Sequence, residues 1–157
     1  MELQRVIAYL GYFVDAMALH RVKRHDLRGR KLLEVGEKYF AADTGLRSAI
    51  IGHRAQDVGI LLKTAVCCHL LASGHTVEVG RWGEHEVDFV ATKGGERKHV
   101  QVAYLLATPE TLERELRQLR MLGDNYPRLL LSMDRNFRED PEGIRWMKLR
   151  DFLPRSE

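Results

Sequence analysis

Asp88 and Gln101 stand either side of a Gly-Gly turn in the stretch EVDFVATKGGERKHVQVAY, residues 86–104. Strand alternation puts Glu86 and Asp88 on one face of the first arm, and His99, Gln101 and Ala103 on one face of the second. With Val87, Phe89, Val100 and Val102 as the apolar layer, Asp88 and Gln101 meet on the opposite face. An acid that faces a second acid and an amine across such a hairpin is an arrangement often used for metal-assisted phosphodiester hydrolysis. Mg²⁺ is a hard cation held by oxygen ligands, and the amine stabilises the attacking water and the phosphate charge. Here the second arm offers a neutral amide and a methyl group at those positions. Glu86 is the one nearby residue that would restore a second carboxylate.

Other chemistries find less support. The chain has no G-x-x-x-x-G-K-[ST] and no G-x-G-x-x-G, so it shows no phosphate cradle of its own and is not expected to hydrolyse ATP alone. G-x-S-x-G and H-E-x-x-H are absent, and the seven histidines form no cluster in the sequence. The two cysteines, Cys67 and Cys68, are adjacent. Neighbouring cysteines rarely bridge, and beside His69 on an apolar helix face they read as small buried thiols rather than a nucleophile. Trp82 and Tyr104 would either stack on a base or pack at the core rim. Arg114, Arg117 and Arg120 recur every three residues, and the interleaved Glu113 and Glu115 make that side a solvated face.

Charge is unevenly placed. Residues 1–54 hold ten Lys/Arg against six Asp/Glu, whereas residues 55–157 hold fifteen against sixteen. Most of the surplus lies in HRVKRHDLRGRK, where Arg21, Lys23, Arg24, Arg28, Arg30 and Lys31 face a single acid. This is either a solvated hairpin or a wing that contacts a nucleic-acid backbone. Uninterrupted apolar runs fall far short of the roughly 20 residues of a membrane span. The N-terminus carries acids and lacks a signal-peptide pattern. The expectation is a cytoplasmic protein with no membrane partner.

The elements that must position these residues follow from periodicity. Apolar residues at spacings of three and four predict a helix from Val6 to Met17. An extended stretch over residues 17–23, a turn over 26–30 and a strand over 38–42 follow, which is the latter half of a winged helix. Asp43 or Thr44 caps a short helix that Gly52 stops, and residues 56–72 form a helix ended by Gly74. Strands are expected over 76–81, 87–92 and 98–104, then a helix with Leu112, Leu116, Leu119 and Leu122 inward. Strands over 128–133 and 143–148 and a short C-terminal helix complete the order. The whole reads as an α/β core with a mostly antiparallel sheet extended by a crossover strand, and a seam near residues 43–54.

Three stretches carry a family resemblance: KYFAADTGLRSAIIG, the run from QDVGILLKTAVCCHLL through EVDFV to QVAY, and the tail NYPRLLLSMD with EGIRWMKLRDFL. Over nearly the whole chain they resemble the C-terminal region of bacterial and archaeal AAA+ type ATP-binding proteins, a region of unknown function with a PD-(D/E)XK, restriction-endonuclease-like fold. The resemblance implies a mixed sheet flanked by helices. It divides the chain into a partial winged helix over 1–50 and a nuclease-like α/β domain over 51–157, with Met1 falling inside the last helix of a winged helix. ATP would enter only if an ATPase domain stands upstream of this chain.

Mapped residue by residue, the nuclease pattern keeps Asp88 but has Lys63 at the helix acid, Gln101 at the Glu of E-x-K and Ala103 at its Lys. Opposite unit charges about 4 Å apart attract by about 4 kcal/mol at an effective dielectric near 20. Lys63 is therefore expected to pair with Asp88 in place of a metal. The reading is a non-catalytic module that binds DNA, an AAA+ ATPase domain or a protein partner, with no cofactor of its own. The rivals are a Mg²⁺-dependent DNA nuclease using Asp88 with Glu86 and Gln101, and an oligomerisation or docking module.

Overall fold

The computed structural model describes residues 2–29, 31–134 and 143–153, and the side chains of all of these except 31–35. Helix α1 spans Leu3–Asp15 and leads into a hairpin of β1, Leu19–Asp26, and β2, Lys31–Ala41. Helix α2, Thr44–Ile51, and a single 3₁₀ turn, Ala55–Asp57, precede α3, Val58–Ala72. Strands β3 (Thr76–Trp82), β4 (His85–Lys93) and β5 (Glu96–Val102) follow. Helix α4 (Pro109–Arg120), β6 (Arg128–Ser132), β7 (Ile144–Lys148) and α5 (Leu149–Phe152) complete the order.

Local chemistry explains the boundaries. At the start of α2, the Asp43 carboxylate accepts the Leu46 N–H at 2.7 Å, a side-chain cap on an otherwise unpaired donor. Thr108 caps α4 in the same way through the Thr111 N–H, with Glu110 in the first turn and Arg117 and Arg120 in the last. Gly94 and Gly95 both hold positive φ, +58° and +85°, which is what a two-residue hairpin turn between β4 and β5 demands.

The strands form one seven-stranded mixed sheet in the order β2-β1-β3-β4-β5-β6-β7. Three pairings are antiparallel (β1/β2, β3/β4, β4/β5) and three are parallel (β1/β3, β5/β6, β6/β7). The expectation of a mostly antiparallel sheet is thus corrected. Helices α2 and α3 return the chain to lay β3 beside β1, and α4 returns it to lay β6 beside β5; such crossovers make parallel neighbours. The sheet also runs across the expected seam at 43–54. Arg24, His25 and Asp26 pair with Val79, Gly80 and Arg81, so the basic hairpin is continuous with the rest of the sheet.

Helices cover both faces of this sheet. Val66, Cys67 and Leu70 of α3 pack with Phe89, Val100 and Leu131 on one side. Leu116, Leu119 and Leu122 pack with Val87, Val90 and Leu130 on the other, and Leu112 lies against them partly buried. By length and composition Ala55–Ala72 would suffice to cross a membrane, with mean hydropathy 1.3. Its buried Val66, Cys67 and Leu70 instead serve the core of this domain.

One local feature departs from simple alternation. Gly80 pairs with Val87 but Glu78 pairs with Val90, so β4 carries an extra residue between these points. Such a bulge shifts which face later residues meet. Val87 therefore joins Val90 under α4, while Phe89 joins Val100 and Val102 under α3. The single apolar layer expected for Val87, Phe89, Val100 and Val102 is split across the sheet, and Asp88 sits inside the bulge.

Candidate functional site

Asp88 is buried, with 5% of its surface exposed, and its polar atoms are engaged. Lys63 Nζ on α3 lies 2.5 Å from Oδ1, and the Val102 N–H donates to Oδ2 at 2.9 Å. The Asp88 N–H donates to Gln101 Oε1 at 3.1 Å, and Gln101 Nε2 donates to Glu115 Oε2 at 2.9 Å. Burial raises the Asp88 carboxyl above its ordinary value, against the opposing pull of the Lys63 charge and the Val102 N–H. The result is a chain of contacts from α3 through the β4–β5 hairpin to α4.

This arrangement does not fit a divalent metal. One Asp88 oxygen faces an ammonium, the other a backbone N–H, and the only oxygen of the Gln101 side chain is held by the Asp88 N–H. A cation of the chain itself occupies the approach a metal would take. Among the described residues no group of three or more His, Cys, Asp or Glu is placed to hold a metal ion.

Glu86 has its own partners. Lys38 of β2 donates to its Oε1, and Arg24 Nη2 lies 3.3 Å from its Oε2. The carboxylate that would have rescued a metal site instead ties β4 to the basic hairpin. Arg24, expected at a nucleic-acid surface, is accordingly turned to an internal ion pair and is only 26% exposed.

The other expected contact residues vary. Arg21 and Lys23 are exposed, and Arg21 reaches Glu37 only at 3.9 Å. Arg28 is exposed near the Trp82 ring. Arg30 and the side chain of Lys31 lie outside the described residues. Above Asp88, a cleft of about 370 Å³ is lined by Lys38, Arg47, Ile60, Lys63 and Thr64 among others. Its three cations are each paired with a carboxylate: Lys38 with Glu86, Arg47 with Asp57 at 3.0 Å and Lys63 with Asp88.

Other candidates resolve into structure. Burial pushes the Cys67 thiol up to about 12 and raises Cys68 as well, so neither is a ready nucleophile. Trp82 is partly buried against the α4-side core, whereas Tyr104 is 47% exposed. Arg120 pairs with Glu113 and Arg114 with Glu115. Glu115 is the residue that sequence reasoning misplaced, because it lies mostly buried and accepts from Gln101. Its position three residues after Leu112 and one before Leu116, on the inward stripe, is the signal that marks it.

Comparison with known proteins adds one relative. A protein of Haemophilus influenzae described as uncharacterized is 32% identical over 145 residues, an alignment that covers 92% of this chain and 36% of that protein. The chain spans little more than a third of that relative's length. No protein-family model and no solved structure matches the chain.

Proposed function

We propose that this chain is a non-catalytic, nuclease-like module of the restriction-endonuclease-like type that binds DNA, within a longer protein of the AAA+ ATP-binding kind. The observation that carries this reading is the Lys63–Asp88 contact at 2.5 Å, with Gln101 and Ala103 where a hydrolytic site needs an acid and an amine. A carboxylate neutralised by an ammonium attracts no Mg²⁺, and the cleft cations Lys38, Arg47 and Lys63 are each already paired, with Glu86, Asp57 and Asp88, so the surface that favours a phosphate backbone lies on the hairpin instead. Exposed Arg21, Lys23 and Arg28 on and beside β1 supply that basic surface. The seven-stranded mixed sheet with helices on both faces is compatible with the proposed fold type.

Incubation of the purified chain with supercoiled plasmid and Mg²⁺ or Mn²⁺ tests the non-catalytic part. The plasmid stays intact under this reading. Nicking that disappears in Asp88→Ala would make the chain a metal-dependent nuclease instead.

Helix α1 supports a second role, docking. It buries no residue, and Leu3, Ile7, Tyr12 and Met17 at or beyond it are each more than half exposed. An apolar helix face of this kind suits a further domain or a protein partner. Sedimentation velocity across a concentration series separates self-association, which would shift the mass, from docking on a different partner, which would not.

A further inference from the structure

A second cleft, of about 310 Å³, opens on the α4 side of the sheet beside Leu27 and Trp82. Two guanidinium–aromatic pairs flank it. Arg28 lies 6.0 Å from the Trp82 ring centroid, and Arg97 lies 5.3 Å from that of Tyr126. Neither guanidinium has a carboxylate partner among the described residues. Gly123 gives the cleft its shape, since a Cβ there would sit 3.2 Å from the Trp82 ring.

Its inner wall is polar. His25 is only 8% exposed; its Nδ1 lies 3.3 Å from Glu78, and neither buried ring nitrogen has a hydrogen-bond partner among the described residues. Buried ring nitrogens of this kind normally find a partner, so an unpaired one lining a cleft points to a ligand. Asp124 also lines the cleft; its carboxylate accepts from His99 Nε2 at 2.9 Å and from the Tyr126 N–H at 3.3 Å.

We propose that this cleft binds one nucleotide, its base against the Tyr126 and Trp82 rings and its phosphate between Arg28 and Arg97. Guanidinium groups match phosphate oxygens in a planar fork, and aromatic faces accept any base. The base edge then meets His25 Nε2 and the Asp124 carboxylate, which suits a base that carries an exocyclic amino group. A volume near the lower end of small-ligand sites admits a single unit rather than a duplex. The ligand is a free nucleotide or a residue of a single strand. His25, Leu27 and Arg28 come from the basic hairpin, but Arg21 and Lys23 do not line the cleft, so loss of duplex binding and loss of mononucleotide binding are separable outcomes.

Isothermal titration of the full chain with adenosine monophosphate, a short oligo-deoxyadenylate and inorganic pyrophosphate tests it. Saturable binding of adenosine monophosphate is expected, weakened about tenfold by Tyr126→Ala or Arg97→Ala. Arg97→Lys should fall between, and Arg21→Glu with Lys23→Glu should leave mononucleotide binding unchanged. Tighter binding of the oligonucleotide assigns the ligand to a single strand, and equal or weaker binding assigns it to a free nucleotide. The proposal is overturned by absence of saturable mononucleotide binding, by unchanged affinity in Tyr126→Ala and Arg97→Ala with native circular dichroism, or by pyrophosphate binding as tightly as the nucleotide.

Discussion

Lys63 Nζ sits 2.5 Å from Oδ1 of an Asp88 that is almost wholly buried, while Lys63 itself keeps 36% of its side chain in solvent. That asymmetry predicts unequal costs for breaking the pair. Lys63→Met leaves a buried carboxylate without its counter-charge and should destabilise by about 1–3 kcal/mol. Asp88→Asn leaves Lys63 free to reach water and should cost less. Chemical denaturation of the two single variants and the double variant measures this. A larger loss in Asp88→Asn than in Lys63→Met would contradict the account.

Three histidines, His99 buried and His69 and His75 partly buried, set an acid limit. Burial holds His69, His75 and His99 below the ordinary histidine value, although Asp124 pulls His99 the other way. Below about pH 6.5 the unfolded chain therefore takes up protons that the folded chain resists, and stability falls as pH falls through that window. Asp88 acts with the opposite sign. Its raised value means the folded chain binds its proton first, so its contribution grows as pH falls toward the ordinary carboxylate range. Urea midpoints from pH 7.5 to pH 5 should decline, and His99→Gln should flatten the decline.

Cys67 and Cys68 should be silent in the native protein. Cys67 is fully buried with its thiol pushed up to about 12, and Cys68 Sγ lies 3.4 Å from the Ala41 carbonyl oxygen. Ellman's reagent at pH 7.5 should detect almost no thiol until denaturant is added, and then both. Rapid modification of the folded chain would mean that α3 opens readily.

Gly80 is tightly enclosed. A Cβ at this position would approach Leu27 Cδ1 and Val90 Cγ2 to 2.9 Å and Val87 Cβ to 3.4 Å, all in the core beneath α4. Gly80→Ala should cost about 1–3 kcal/mol through overpacking beside the bulge. Gly59→Ala, which meets nothing within 4 Å, serves as the control and should be neutral or stabilising in a thermal melt.

Much of this architecture is legible in local pattern. The period of α3 and α4, the Asp43 and Thr108 caps and the Gly94-Gly95 turn are short-range signals, and the observed elements follow them. The proximity of Lys63 to Asp88 followed from the positions that a family resemblance assigns. What local pattern could not supply was pairing between distant segments. Arg24 reads as one more surface cation until β1 is seen beside β3, with Arg24 next to Glu86. The bulge in β4 is equally silent, because Val87, Phe89 and Val90 are apolar on either side of the sheet. Glu115 resembles its exposed arginine neighbours in the sequence, yet it shares the inward side of α4 with the leucine stripe and accepts from Gln101.

The central claim, binding to a DNA backbone without cleavage, is tested most directly by the salt dependence of affinity for a labelled duplex. Fluorescence anisotropy from 50 to 300 mM salt should show log Kd rising linearly with log salt. Neutralising Arg21, Lys23, Arg28, Arg30 and Lys31 should flatten that line by about 0.9 for each phosphate contact removed. Arg24→Ala should change stability more than slope, because Arg24 is paired with Glu86. A duplex that binds without salt dependence, or a slope unchanged by the five substitutions, would contradict the account.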